Sequence, residues 1–108
     1  DWIHVYDFCR AIRMILAKAK PGDIFNVDTN HELTNLNFLE TLMGALDEVE
    51  PRSDGQPHAS AITHIQDRPG HDRRYALDCT KLRDTLGWTP LMTFEEGIRS
   101  TVAWYLSH

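Results

Sequence analysis

Proline and glycine divide this chain into four stretches with helical periodicity, and these breaks limit the folds that it can adopt. Pro21-Gly22, Pro51, Pro69-Gly70 and Gly87 each end or interrupt an apolar pattern. Proline removes a backbone donor and fixes φ, and glycine permits positive φ, so each position favours a turn over a continuing helix. The sequence therefore predicts short elements joined by tight turns.

Between the breaks, apolar residues recur at three- and four-residue spacing, which predicts four helices. They cover about Phe8 to Lys18, about Leu36 to Val49, Thr80 to Leu86, and a last helix that follows Thr93. Residues that suit helix caps are present where these helices are expected to begin and end. At the N-termini they are Asp7, Thr34 or Asn35, Asp78 and Thr93, and at a C-terminus it is Gly87. The last helix is expected to bury Phe94, Ile98, Val102 and either Trp104 or Tyr105.

Four short segments carry the alternating, β-branched or aromatic residues that are typical of strands: DWIHVYD, which runs up to Asp7, IFNV, AITHI and YALD. Short strands that alternate with about four helices predict an α/β fold with α+β character. The first strand has no visible partner within the sequence. We therefore expect residues 1–108 to be one segment of a larger protein.

Composition narrows the possible partners. A hydrophobic content of 42% and a charged content of 25% are ordinary for a globular domain. The net charge of -5 argues against nucleic acid as a partner, and no apolar stretch approaches the roughly 20 residues that cross a bilayer. Cys9 and Cys79 lack metal-ligand spacing and are expected to be reduced thiols in a cytoplasmic protein.

The segment DRPGHDRRYALD, residues 67–78, concentrates charge on a bend. Pro69-Gly70 predicts a stiff turn, on which the Arg68 guanidinium would be oriented in advance for phosphate oxygens, with His71 as a further donor. Alternatively, the arginines of this segment pair with Asp67, Asp72 and Asp78 and only decorate the surface. The residues alone leave both interpretations open.

The segments DRPGHDRRYALD, KLRDTLGWTPLMTFEEGIRSTVAWYL and DWIHVYDFCRAI together resemble the C-terminal region of the dTDP-glucose 4,6-dehydratases. These are NAD-dependent enzymes of the extended short-chain dehydrogenase family. In this family the DRPGH bend and an asparagine that opens the second long helix contact the nucleotide-sugar. The resemblance therefore implies that the substrate-binding residues are Asn35, Asp67, Arg68, Pro69, Gly70 and His71, with Arg68 binding the diphosphate.

The resemblance also implies what lies outside this sequence. An enzyme of this kind needs a glycine-rich phosphate loop for NAD, a Tyr-x-x-x-Lys pair and an acidic couple, and none of them occurs here. We expect a missing N-terminal Rossmann half, a homodimeric parent enzyme, a dTDP-sugar substrate, and no catalysis by this chain alone. A UDP-sugar 4-epimerase, another nucleotide-sugar relative, or a free-standing binding module are the alternatives.

Overall fold

The computed structural model describes residues 1–108 and is entirely helical in its regular structure. Helix α1 spans Val5–Lys18, α2 spans Asn35–Val49, α3 spans Thr80–Leu86, α4 spans Phe94–Ser107, and a 3₁₀ helix spans His58–Ala61. The expected number of helices is confirmed. The predicted α/β fold with short strands is wrong, because the chain forms no β-strand.

The predicted strands IFNV and YALD do not form, and one carbonyl group in each segment accepts a hydrogen bond from a side chain instead. The ammonium group of Lys81 donates to the carbonyl oxygen of Ile24 at 2.9 Å, and the amide of Asn26 donates to that of Asp78 at 3.2 Å. A strand requires a series of backbone bonds to a neighbour. Alternation in a sequence indicates which face could be buried, but it cannot supply that neighbour.

The other two predicted strands do not form either, because their residues are partly helical or exposed to solvent. Helix α1 begins at Val5, with His4 as its N-cap, and the His4 ring accepts from the backbone of Tyr6 at 3.2 Å. In AITHI, Ala61 ends the 3₁₀ helix and Ile65 is 87% exposed. The predicted cap, Asp7, instead lies within the first turn of α1 and is buried.

The chain divides into two compact units, and the first comprises Asp1–Glu32 and Arg74–Phe94. In this unit α1 packs against α3. Its core is formed by four buried residues: Ala11, Leu82, Leu86 and Trp88. Burial of this apolar surface at roughly 25 cal/mol per Å² is what stabilises such a small unit.

Asp7 is the buried polar centre of the first unit. Its carboxylate accepts hydrogen bonds from the backbone N–H groups of Leu91 and Met92, both at 3.0 Å, and from Arg10 at 2.7 Å. Arg10 also donates to the carbonyl oxygen of Thr89 at 3.2 Å. Burial alone would raise the pKa of Asp7, but these donors together lower it below the ordinary value of 3.8. The segment after α3 is thereby fastened to α1.

Helix α3 matches its prediction from Thr80 to Leu86. Gly87 ends it with φ of 73°, a left-handed conformation that favours glycine, and donates to the carbonyl oxygen of Arg83 at 2.8 Å. Asp78 accepts from the Thr80 amide at 2.9 Å, although Cys79 occupies the N-cap position. Local capping signals were sufficient to place this helix.

The second unit comprises Leu33–Arg73 and Glu95–His108. Helix α2 packs against the 3₁₀ helix, where Asp47 accepts from the backbone of His58 at 2.8 Å. Glu48 pairs with Arg99 at 3.3 Å. Asp47 and Glu48, which could be mistaken for an acidic catalytic couple, therefore have structural partners at the edge of α2.

Helix α4 buries Ile98 and Val102, as predicted, but Trp104 and Tyr105 are 55% and 72% exposed. The expectation that one of them packs inward is wrong. Trp104 instead stacks on the ring of His108, with centroids 4.7 Å apart. None of the helices combines the length and the apolar character needed to cross a bilayer.

We predict that Asp7→Ala lowers the free energy of unfolding by about 3 kcal/mol, because two backbone amides and Arg10 lose a buried charged acceptor. Since the folded pKa of Asp7 lies below the ordinary value of 3.8, its stabilisation is complete above about pH 4 and is lost as the pH falls through the folded pKa. Urea unfolding of the full-length protein at pH 7 and at lower pH measures both effects.

The matched control for this prediction is Asp84→Ala in the same unit. Asp84 pairs with Arg83 at the surface, where its side chain is 64% exposed, so its removal should leave stability unchanged. Equal loss in both variants, or a loss in Asp7→Ala that does not become smaller as the pH falls, would contradict the assigned role of the Asp7 carboxylate.

Candidate functional site

The bend at residues 68–71 has the geometry of a tight glycine turn. The His71 N–H donates to the carbonyl oxygen of Arg68 at 3.3 Å, and Gly70 has φ of 74°. Proline in the second position and glycine at positive φ in the third are the signature of a type II turn. The stiff turn expected from Pro69-Gly70 is therefore confirmed. It fixes the direction in which the chain leaves Arg68.

Asp67 and His71 form a pair across this turn. The Nδ1 atom of His71 lies 3.0 Å from both carboxylate oxygens of Asp67, and the backbone N–H of Arg68 donates to the same carboxylate at 2.8 Å. The hydrogen bond from His71, followed by that from the Arg68 backbone, lowers the pKa of Asp67. Because a carboxylate only accepts, this pairing assigns the proton to Nδ1. The Asp67 side chain is thus engaged with its own turn.

Arg68, on the bend, differs in its pairing from Arg74, which follows the bend. It is exposed, and its hydrogen bonds are made by its backbone. Arg74, in contrast, forms a two-pronged pair with Glu32, at 2.6 Å from Nε and 2.5 Å from an Nη atom. The interpretation in which Arg68 is neutralised by Asp67, Asp72 or Asp78 does not describe this geometry. Asp67 binds His71, Asp78 binds Thr80, and Asp72 forms no ion pair with Arg68.

Asn35 is the first residue of α2. Thr34 is the N-cap and accepts from Asn37 at 3.2 Å, so the choice between Thr34 and Asn35 is resolved in favour of Thr34. The exposed Asn35 amide is therefore not needed as a cap. No acidic side chain lies in the first turn of this helix, whose N-terminus carries the positive end of the helix dipole.

The structure brings together some of the predicted site residues. Asp67 to His71 form one hydrogen-bonded turn, while Asn35 makes no hydrogen bond to it. The pair between Glu32 and Arg74 was not predicted, because its partners are 42 residues apart and no spacing rule connects them. One signal in the sequence could have indicated the pair. Glu32 lies three residues before Asn35, and Arg74, which has the opposite charge, lies three residues after His71. No group of three or more histidine, cysteine or acidic side chains could hold a metal ion.

Comparison with known proteins places the chain in a class of sugar-nucleotide enzymes. The profile of a family described as GDP-mannose 4,6 dehydratase matches residues 1–101. The chain therefore belongs to this family.

Similarity to individual members is more specific. A dTDP-glucose 4,6-dehydratase of Xanthomonas campestris pv. campestris is 50% identical over all 108 residues, which cover 31% of that protein. The enzyme of the same name from Salmonella typhimurium is 44% identical over the whole chain, which covers 29% of it. The resemblance inferred from the sequence motifs is thus confirmed. The chain spans about a third or less of the length of these curated relatives.

A solved structure agrees with this assignment. The dTDP-glucose 4,6-dehydratase of Bacillus anthracis, in complex with NAD, superposes with a TM-score of 0.81 at 34% identity. The match covers 100% of this chain and 31% of the other. The helical arrangement described above is therefore that of a portion of a known dehydratase.

We predict that His71→Ala raises the pKa of Asp67 toward its ordinary value of 3.8, because the hydrogen bond from His71 is the largest influence that lowers it. Carboxyl ¹³C chemical shifts followed through an acid titration measure this change. Asp78, whose pKa is lowered by Thr80, serves as the internal reference and should not move. An unchanged Asp67 titration would show that the pair does not persist in solution.

Proposed function

We propose that this chain is the substrate-recognition part of a dTDP-glucose 4,6-dehydratase, an enzyme that converts dTDP-glucose to dTDP-4-keto-6-deoxyglucose. Its role is to bind the diphosphate of the nucleotide-sugar through the DRPGH bend and Asn35. The proposal is supported by relatives of that name at 44–50% identity across the whole chain. By itself the chain is expected to be inactive.

The observation that carries the proposal is the state of the Arg68 side chain. Its guanidinium is exposed on a turn of fixed geometry, and none of the aspartates named above is paired with it. A planar guanidinium offers parallel donors that match two oxygens of a phosphate. A turn that fixes the backbone of Arg68 in advance of binding reduces the entropy that is lost when the ligand is captured. Arg68 is therefore the proposed diphosphate ligand.

The rest of the bend supports Arg68 in two ways. Pro69 and Gly70 set the turn, and Gly70 adopts a φ of 74° that other residues rarely adopt. Asp67 holds the His71 ring through Nδ1, which leaves the ring in one orientation relative to the turn. In this proposal Asp67 orients His71, and His71 supplies a further hydrogen bond to a phosphate or sugar oxygen.

Asn35 is proposed to bind the same ligand from the N-terminus of α2. A side-chain amide is neutral and can donate two hydrogen bonds to phosphate or sugar oxygens. The absence of acidic residues from the first turn of α2 leaves this helix end without a negative charge that would repel an anion.

The cofactor of the proposed whole enzyme is NAD, which the Bacillus anthracis structure contains. The residues of this chain do not fit a dinucleotide site. No three of its six glycines have phosphate-loop spacing, and no tyrosine is followed four residues later by lysine. The oxidation and elimination chemistry is therefore assigned to the remainder of the protein, while this chain positions the substrate.

Two further properties of the whole protein belong to this proposal. We expect it to be a homodimer, which sedimentation or light scattering would establish. We also expect it in the cytoplasm. Its unpaired cysteines, Cys9 and Cys79, suit a reducing compartment.

Nucleotide choice requires its own assay, because the family description names GDP-mannose whereas the relatives are named for dTDP-glucose. The full-length protein should form a 4-keto-6-deoxy product from dTDP-glucose and little from GDP-mannose. Interconversion of UDP-glucose and UDP-galactose would instead identify an epimerase. Binding without any turnover would identify a non-catalytic module.

We predict that Arg68→Ala in the full-length protein raises the KM for dTDP-glucose by about tenfold or more. A hydrogen bond to a charged group contributes about 1.5 to 3 kcal/mol, and 1.4 kcal/mol corresponds to a factor of ten. Steady-state kinetics measures the change. Arg73→Ala is the matched control, since Arg73 is a nearby exposed arginine, and its KM should stay at the wild-type value. An unchanged KM in Arg68→Ala would refute the proposed diphosphate contact.

A second prediction concerns the turn itself. Gly70 and Gly55 have nearly the same φ, 74° and 72°, and an added Cβ would meet nothing within 4 Å at either position. Alanine at each site should therefore cost the same small amount of stability, about 1 kcal/mol. Only Gly70→Ala should raise the KM for dTDP-glucose, because only this turn carries Arg68. Equal KM values for the two variants would show that the bend does not contribute to substrate binding.

A further inference from the structure

The ion pair between Glu32 and Arg74 joins the two ends of the chain segment that carries the proposed site. Glu32 ends the first stretch of the first unit, and Arg74 begins its second stretch. The intervening residues 33–73 leave and return at this one ion pair. Asn35 lies three residues after Glu32, and His71 lies three residues before Arg74. Three residues span at most about 11 Å, so both site elements are tethered close to the pair.

The geometry of the pair fixes orientation as well as distance. Two parallel hydrogen bonds join the guanidinium and the carboxylate, at 2.6 and 2.5 Å. Such a planar fork restricts rotation of both side chains, which a single contact from an ammonium group would not do. The hydrogen bonds with Arg74 lower the pKa of Glu32, so the carboxylate stays ionised through the neutral range.

Asp1 holds the residues next to this pair. Its carboxylate Oδ1 accepts from the backbone N–H of His31 at 3.0 Å and from the hydroxyl of Thr29 at 2.9 Å. Its nitrogen, as the terminal ammonium group, donates to the carbonyl oxygen of Tyr75 at 2.8 Å. Asp1 thus forms hydrogen bonds both with the chain just before Glu32 and with the chain just after Arg74. The ion pair is therefore part of an ordered junction.

Exposure shows that this pair is not a source of global stability. The side chains of Arg74 and Glu32 are 70% and 48% exposed, and pairs in such surroundings contribute little to folding. Its conspicuous feature is placement, since it lies at both ends of the segment that holds Asn35 and the bend.

We propose that Glu32 and Arg74 are positioning residues of the nucleotide-sugar site, which hold Asn35 and the DRPGH bend in register for one ligand without contacting it. This inference rests on the proposed function. It predicts that loss of the pair weakens substrate binding through Asn35 and Arg68, and that it leaves the chemical step and the stability of the protein nearly unchanged.

The test uses full-length protein and dTDP-glucose. Glu32→Gln and Arg74→Ala should each raise KM by about fivefold with little change in kcat or in Tm, as suits a surface pair. Arg74→Lys keeps the charge but loses the fork, so it should fall between Arg74→Ala and the wild type. Exchange of the two charges, Glu32→Arg with Arg74→Glu, should restore KM to within about twofold. Arg73→Ala is the control and should behave as the wild type.

A double-mutant cycle separates positioning from direct contact. If Arg74 acts through the bend, Arg68→Ala combined with Arg74→Ala should raise KM by less than the product of the single effects. An effect that is fully multiplicative in this pair, and also when Asn35→Ala is combined with Arg74→Ala, would assign Arg74 its own contact with the ligand and would overturn the positioning role. Unchanged KM in both Glu32→Gln and Arg74→Ala, or a charge exchange that restores nothing, would overturn it as well.

Failure of the positioning role can be distinguished from failure of the proposed function. If Arg68→Ala raises KM while the Glu32 and Arg74 variants do not, only the positioning role is lost. If the protein does not turn over dTDP-glucose, the proposed function fails before the ion pair is tested.

Discussion

The buried carboxylate of Asp7 is the interaction on which the first unit depends. It joins the start of α1 to a segment more than 80 residues later through the amides of Leu91 and Met92. Those amides lie just past Trp88, the largest side chain in the core. A buried polar group costs free energy unless its hydrogen bonds are complete. Asp7 therefore fixes the segment after α3 against α1 in one arrangement, which apolar packing alone would leave less restricted.

Local signals in the sequence were sufficient where the structure is local. The ends of α3, the cap at Thr34 and the turn at Gly70 each depend on local residues. The bounds of α3 and the turn were predicted, and the cap was predicted as either Thr34 or Asn35. The strands and the role of Asp7 were mispredicted for the opposite reason. A strand requires a partner that may lie anywhere in the chain, and the donors to Asp7 are 84 and 85 residues away.

The candidate site divides along the same line. Family motifs gave the residues of the bend and Asn35, and the turn geometry followed from Pro69 and Gly70. The motifs singled out Arg68, but they could not give the partner of Arg74, because Glu32 lies 42 residues away in the chain. Arg68 is exposed and unpaired at its guanidinium, and Arg74 is bound by Glu32. Only the three-dimensional structure shows that the two arginines differ in their pairing.

A chain with a net charge of -5 can still present a site for an anion, because charge acts locally. Several acids of this chain are already engaged, among them Asp7 by backbone amides and Arg10, Glu32 by Arg74, and Asp67 by His71. Each of these carboxylates has donors that offset its field at short range. Arg68 has no such partner, so its charge remains available to a ligand. The pairing of the acids, rather than the total charge, is what makes a diphosphate site physically reasonable here.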